Sequence, residues 1–476
     1  MSAPMLFAGA SAFFLSFIAA QSIALYIILS VAVISVYVYL YFVKQKRLHF
    51  VFAAFLLFII TVATIVNAFA VQKLKAYDGE TCDITAVIKT EPTNYGIGYS
   101  YTAELERIED KKLELANINL NAFDNSLCPG DRVIATVSLY EHQNKESFYA
   151  ENIFIHGEVE EITQIQPRYN LLRYKIYILR VYIREIISDF IDGDTGQLIV
   201  AVITGDRSGI SDETYSLIKR SGVAHMIVVS GMHLSIVCTA IMWTLRRVLP
   251  NNILQGVVML AVVVFIMLLC GFTKSVFRAG ITYIILTMAL FLKRDGDSLC
   301  ALSLTVIIVM LVNPFAAYSI SFELTVCATY GILVLAPILA NKINGLLHTE
   351  NNSFIKGIIE VICVTVSSNI MTLPIVLYVY EWVSAVSLFT NIFINYSVSA
   401  MLVVAIIAVL VGKIQFLAYP AFLIAGLLSK YSLSVIEYLG RLPFATINFN
   451  GKSLAAILCM LYLVVFLYYS LIRRKD

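Results

Sequence analysis

The chain has 476 residues, of which 59% are hydrophobic and 14% charged, and a formal net charge of +2. That composition excludes an ordinary soluble globular protein, whose surface needs more charge, while the small net charge says nothing about partners. Apolar runs of about 20 residues recur along the chain, each long enough to cross a ~30 Å hydrocarbon core, and backbone in lipid must be helical to pair its own polar groups.

The apolar run from Met5 to about Phe42, interrupted only by Gln21, has no basic stretch before it. It reads as a retained membrane anchor rather than a cleaved signal peptide. Three spans are expected at roughly 4–20, 22–43 and 49–71. A polar segment follows at 72–167, then amphipathic, interfacial helices at 168–222. A membrane domain fills 223–476, with spans near 223–245, 253–271, 275–292, 298–312, 317–339, 355–379, 384–412, 414–432 and 453–471. The fold class is therefore an α-helical polytopic membrane protein of about 12 spans with one inserted β domain.

Basic residues between spans test this count. With the polar segment outside, Lys44, Lys46, Arg47, Arg246, Arg247, Lys293 and Arg294 fall on the cytoplasmic side. So do Lys342, Lys356, Lys413, Arg473, Arg474 and Lys475; Arg441 and Lys452 are the exceptions. Both termini are then cytoplasmic, in a multi-pass inner membrane protein with its β domain extracytoplasmic.

Within the polar segment, alternating apolar stretches at Cys82–Lys89, Tyr99–Ile108, Leu113–Phe123, Arg132–Leu139 and Ile153–Ile162 are separated by turn residues such as Asn94, Gly96 and Pro129-Gly130-Asp131. Five short strands suit a small barrel of the OB type or a five-stranded sandwich. Between Tyr77 and Ile165 six Lys/Arg face seventeen Asp/Glu, a balance of −11 that should repel DNA unless the cations share one face. Cys82 and Cys128 are the cysteines of this segment, a possible disulfide if it meets an oxidising compartment. The other six cysteines sit in apolar runs as small core residues.

From Tyr169 to Ile191 the period becomes helical, with Arg173, Arg180 and Arg184 on one face and Tyr174, Tyr177 and Tyr182 interleaved. This predicts a helix in the outer interface, either a basic entrance lip to a pore or a simple anchor.

Four segments place polar residues within membrane-length apolar runs, where they are costly. The first runs from Gly205-Asp206-Arg207-Ser208 to Ser230-Gly231-Met232-His233. Ser230 and His233 share a helical face; the pair reads as pore lining, helix packing or, with no acid placed to orient the histidine, a weak hydrolase motif. The second, Gly271 to Ala279, carries Lys274 and Arg278 four residues apart on the side opposite the other cations. They call for an acid such as Glu323 or an anionic cargo. The third joins Asn313-Pro314-Phe315 to Glu323, with Pro314 breaking a helix. The fourth holds Ser367, Ser368, Asn369, Pro374, Glu381 and Asn391 and suits a broken helix beside a cavity, or a kinked one.

Gly451-Lys452-Ser453 imitates the end of a phosphate-binding loop, but Thr446 stands where its first glycine belongs. The six histidines are scattered. No ATPase or nuclease motif, metal site or cofactor site is expected, and the chain is read as a non-enzyme.

These segments resemble the ComEC competence proteins. Gly222 to Ile236 (GVAHMIVVSGMHLSI), GFTKSVFRA ending at Arg278-Ala279, NPFAAYSISFELTVCATYGIL from Asn313, and Ser367 to Asn395 with Leu373-Pro374 and Asn391 resemble that family's blocks in its order. Asn313-Pro314 stands where an Asp-Pro is frequent. The resemblance covers about Thr195 to Ser470. It implies an OB-like domain able to contact DNA and a channel for single-stranded DNA in natural transformation. Its path would include Ser230, Gly231, His233, Lys274, Arg278, Glu323, Ser368 and Asn391. Implied partners are single-stranded DNA, the lipid bilayer, a DNA receptor, a cytoplasmic helicase-like motor and a separate nuclease, because the chain resembles a short form without the nuclease domain of many members. A transporter or assembly factor for another polymer is the alternative.

Overall fold

A computed structural model describes Ser11 and residues 26–35, 48–94, 98–109, 111–123, 125–142, 145–227, 231–291, 298–347 and 353–449. The chain divides into two compact units, one made of Met1–Ile183 and Val264–Phe322, the other of Arg184–Val263 and Glu323–Asp476. The expected spans at 4–20 and 453–471, and most of 22–43, lie outside the described residues.

In the first unit, helix α1 (Tyr26–Ser35) meets α2 (Leu48–Leu74) through a buried hydrogen bond of 2.9 Å between the hydroxyls of Tyr26 and Thr64. After α2 come β1 (Thr81–Ile88), β2 (Thr93–Asn94), β3 (Tyr99–Ile108), β4 (Lys111–Ala122), β5 (Arg132–Tyr140), the short helix α3 (Lys145–Tyr149) and β6 (Ile153–Gln166). Five of these strands close on themselves in the order β1-β5-β6-β4-β3, with β3 returning to β1; β2 only extends the edge of β3. All of these pairings are antiparallel except β4–β6, which is parallel. The period-two pattern is plain in β5, where Val133, Ala135, Val137 and Leu139 point inward and their neighbours do not. Gly157 is required where β6 passes β5, since a Cβ there would lie 2.3 Å from Val137 Cγ1.

Cys82 opens β1 opposite Val137, whereas Cys128 belongs to a turn whose Gly130 N–H donates to Ile88 O, at the far end of that strand, at 2.9 Å. Most of a strand roughly 20 Å long separates them, while a disulfide needs Cα atoms within about 7 Å. Both thiols are free. The expected pairing is therefore corrected.

The barrel core does not end with the barrel. Val71 and Leu74 of α2, Tyr26 of α1 and Phe315 are buried in the same cluster as the strand residues. Phe315 is 3% exposed, its ring centroid 5.7 Å from Tyr149 and 6.2 Å from Phe154. The Asn313 side-chain amide donates to the carbonyls of Tyr149 and Ala150, each at 3.0 Å, and its oxygen accepts from Phe315 N–H at 2.9 Å. Pro314 does end a helix, as expected, but the residues beside it serve the barrel.

Continuing along the chain are α4 (Leu171–Ser188), α5 (Gly193–Thr204), α6 (Asp212–Arg220), α7 (Ala224–Ile227), α8 (Gly231–Val248), α9 (Asn252–Leu269), α10 (Lys274–Phe291) and α11 (Ser298–Val312). Then follow α12 (Ile320–Tyr330), a π-helical turn (Gly331–Leu335), α13 (Ala336–Leu347), α14 (Ser353–Tyr380), β7 (Trp382–Ser384), α15 (Ser387–Leu410), α16 (Gln415–Gly440) and β8 (Thr446–Asn448). Among the described residues, seven helices are long and apolar enough to cross a membrane: Ala54–Tyr77, Ala224–Val248, Asn252–Leu269, Ile320–Leu346, Ile355–Tyr380, Ser387–Leu410 and Gln415–Gly440. The protein is a membrane protein.

In the second unit, α5 is a core helix, with Leu198 to Thr204 all buried, so the amphipathic expectation for 168–222 fails there. Its polar ends are absorbed by α16: Ser429 Oγ donates to Thr195 O at 2.7 Å. Helices α15 and α16 pack through small hydroxyl residues, Ser397 Oγ donating to Leu428 O and Ser432 Oγ to Ser397 Oγ, both at 3.0 Å. Helix α14 runs through Pro374 as one helix, which excludes the broken helix and leaves the other alternative, a kinked one. A helical irregularity lies at the π turn, where a Cβ on Gly331 would sit 2.7 Å from Ser367 O.

Phe315→Ala should destabilise the barrel by roughly 3–5 kcal/mol, and Asn313→Ala by roughly 1–3 kcal/mol. Hydrogen exchange on the solubilised chain should show faster exchange in β5 and β6 for both variants. Unchanged protection would refute the shared core.

Candidate functional site

The residues singled out for chemistry fall in both units. In the first, Arg278 lies one turn into α10 and is 4% exposed. Its Nη2 donates to Ser275 Oγ at 3.3 Å, and its guanidinium carbon stands 5.4 Å from the Phe322 ring centroid. Ser275 and Ser321 hydroxyls are 3.4 Å apart, so a short polar chain accompanies the cation. Lys274 is the first residue of α10; its side chain lies outside the described residues, as does Ser230.

In the second unit, Gly231 begins α8 and accepts from Ser235 Oγ at 2.9 Å, while His233 is 1% exposed. Glu323 is half-buried in the first turn of α12. Ser368 O accepts from Thr372 Oγ1 at 3.0 Å. Asn391 and Asn395 stand one turn apart on α15. Their Oδ1 atoms, and Ser367 Oγ on α14, are buried with no hydrogen-bond partner among the described residues. Three orphaned polar atoms in apolar helices are costly, roughly 1–3 kcal/mol each, unless water or a ligand reaches them. A cleft of about 610 Å³ between α14 and α15, lined by Glu360, Thr365, Asn395 and Tyr396 among others, lies beside the last of the asparagines.

The three arginines read as an entrance lip are bound to carboxylates. Arg173 Nη2 donates to Glu104 Oε2 at 2.7 Å, and Lys89 reaches the same oxygen at 3.3 Å. Arg180 meets Glu91 at 3.2 Å, both less than one-fifth exposed, and Arg184 pairs with Asp206. Burial alone would raise the Glu104 carboxyl, but the Arg173 hydrogen bond and the Lys89 and Arg173 charges win and hold it below its ordinary value. Asp206 is likewise held low: its burial is outweighed by hydrogen bonds from Ser208 and by Arg184. Arg132 pairs with Glu106 at 2.8 Å. Arg132, Arg173 and Arg180 of the first unit and Arg184 of the second are thus committed to protein carboxylates.

The sequence of residues 202–475 matches the family described as Competence protein. That is more than half of the chain. The chain belongs to the competence protein family. It is 23% identical to ComE operon protein 3 of Bacillus subtilis over 246 residues, covering 52% of this chain and 30% of that protein. It is 26% identical to Recombination protein 2 of Haemophilus influenzae over 146 residues, covering 29% of this chain and 18% of that one. The chain spans less than a third of the length of these curated relatives. No solved structure matches. The family match encloses His233, Arg278, Glu323, Ser368 and Asn391 and leaves the barrel outside it.

Sequence reasoning missed the role of Asn313 and Phe315, whose partners Tyr149 and Phe154 lie far upstream, and the orphaned Asn395. The i,i+4 spacing from Asn391 was the available signal for the latter.

Glu104→Gln should weaken the contact between α4 and the barrel, by about 1 kcal/mol or less because the carboxylate is partly exposed. Its folded pKa is depressed, so the contribution is complete above the unfolded carboxyl pKa and disappears as pH falls through the folded value. Unfolding midpoints of wild type and E104Q should therefore differ at neutral pH and converge in acid. A difference that persists in acid would contradict this origin.

Proposed function

We propose that the chain is an inner-membrane channel through which single-stranded DNA enters the cell during natural transformation. The observation that carries the reading is the competence-family match enclosing a set of polar side chains in membrane-length apolar helices. A phosphate chain crossing lipid needs a hydrated path with cations near it, and orphaned amide and hydroxyl groups need that same water. Arg278, Lys274 and His233 supply cationic or titratable character, Glu323, Ser368 and Asn391 polar lining, and Gly231 the start of α8, with Ser230 just before it in the sequence.

On this reading the barrel faces outward and both termini inward. Its closed strand order, with a meander of three strands, a parallel pair joining the third to the fifth and an antiparallel return to the first, supports the OB assignment. Its basic residues Lys89 and Arg132 are neutralised by Glu104 and Glu106, which leaves the acidic balance exposed elsewhere, as at Glu158 and Glu160. The barrel is therefore an outer support for the channel rather than the tight DNA-binding element, and a DNA receptor, a motor and a nuclease act with it.

Arg278→Met should lower transformation frequency by about tenfold or more, consistent with losing one charged contact worth roughly 1.5–3 kcal/mol, while membrane levels stay normal. His233→Ala should act in the same direction. The check is uptake of labelled DNA in cells carrying each variant and in a deletion strain. Wild-type uptake in the deletion strain would end the proposal.

A further inference from the structure

One polar cluster of the second unit is used by none of the residues above. Arg207, in the loop after α5, is exposed; its guanidinium carbon lies 4.8 Å from the Tyr215 ring centroid, and it donates to the Tyr215 hydroxyl. Lys219, one turn further along α6, places its ammonium 4.4 Å from the same ring. One aromatic ring thus has two cations within 5 Å of its centroid.

The helix presenting them is firmly built. Ser211 caps α6 by accepting from Thr214 N–H at 3.3 Å, and Asp194 accepts from Ser211 N–H at 2.9 Å and from the hydroxyls of Ser211 and Thr214. At its other end the Arg220 carbonyl accepts from Ser384 Oγ of β7 at 2.8 Å. Gly222, at φ +76°, lies so close to the same segment that a Cβ would sit 2.5 Å from Ser387 Cβ.

That contact brings β7 and the end of α14 to α6. Tyr380, 47% exposed, lies within electrostatic reach of Tyr215 and Arg207, and its ring is 6.2 Å from that of Trp382. Arg441 reaches two of the acids there, Glu213 of α6 at 3.2 Å and Glu437 of α16 at 2.9 Å, while Asp212 of α6 is exposed. Glu381 stays exposed, its backbone turned back at φ +59°.

We infer that Arg207, Lys219, Tyr380 and Trp382 form a landing platform for single-stranded nucleic acid, the cations taking phosphates and the two rings stacking bases. This inference rests on the channel reading. It adds a binding site at the end of the second unit where α14 ends, α15 begins and α16 ends, the side that reading places outside. Cations beside one exposed and one half-buried ring suit a strand of alternating phosphates and bases, and stacking tolerates any sequence. A membrane-interface belt needs the rings alone; it does not call for two cations clamped on one tyrosine.

The chain has two tryptophans, so Trp243→Phe leaves Trp382 as sole reporter in the full-length protein in lipid nanodiscs. Adding oligodeoxythymidine should quench Trp382. Tyr380→Ala should weaken binding about 5- to 100-fold. Arg207→Gln should flatten the slope of log affinity against log salt by about 0.7, one phosphate's worth.

Wild-type affinity and salt slope in both variants, with the parent still binding, would overturn the platform and leave the channel standing. A Trp382 response to anionic vesicles and none to oligonucleotide would overturn it in favour of a lipid anchor. Absence of binding by the parent would also overturn it. The deletion strain's DNA uptake decides separately whether the channel reading falls too.

Discussion

A polar side chain inside a helix of membrane length has three ways to exist: bonded to protein, reached by water, or paid for in stability. Most polar groups in this structure take the first. Hydroxyls of Thr64, Thr204, Thr305 and Thr390 donate back to the carbonyl four residues earlier. Ser397, Ser429 and Ser432 join neighbouring helices. Against that background Asn391, Asn395 and Ser367, like Ser30 of α1, keep a buried oxygen with no hydrogen-bond partner among the described residues. The two asparagines and Ser367 all lie within the family-matched segment.

Charge follows a different rule in each part of the chain. Along the barrel and α4, Arg132, Arg173, Arg180 and Arg184 each meet a carboxylate within hydrogen-bond reach, so these residues act as clasps. Arg207 and Lys219 lie against the Tyr215 ring instead, a contact that does not cancel their charge. Guanidinium groups of the same type therefore serve as joints in one place and remain available to an anion in another.

Much of the architecture was legible in the amino-acid order. The strand at Tyr99–Ile108 falls where alternation put it, and β5 extends its expectation by a single residue, Tyr140, because each side chain there simply alternates between core and solvent. Helix-period apolar runs placed α14, α15 and α16 for the same local reason. What failed was whatever depended on distant partners. Asn313-Pro314-Phe315 looks like a membrane irregularity until Tyr149 and Ala150 are seen accepting from its amide. Arg173 and Arg180 look like free cations until Glu104 and Glu91 arrive from the barrel. Pro374 looks like a break, yet the helix continues through it. Cys82 and Cys128 share a segment but sit toward opposite ends of one strand.

The burial of Phe315 in the barrel has a bearing on biogenesis. The last strand of the barrel ends at Gln166, about 150 residues before that phenylalanine is made. At ordinary synthesis speeds of roughly 5–20 residues per second, the nascent barrel waits on the order of 10–30 s with an aromatic socket open at Tyr149 and Phe154. Maturation of the soluble-looking part is thereby tied to insertion of helices synthesised much later, and the interval exposes a sticky surface that a chaperone on that side of the membrane would have reason to shield.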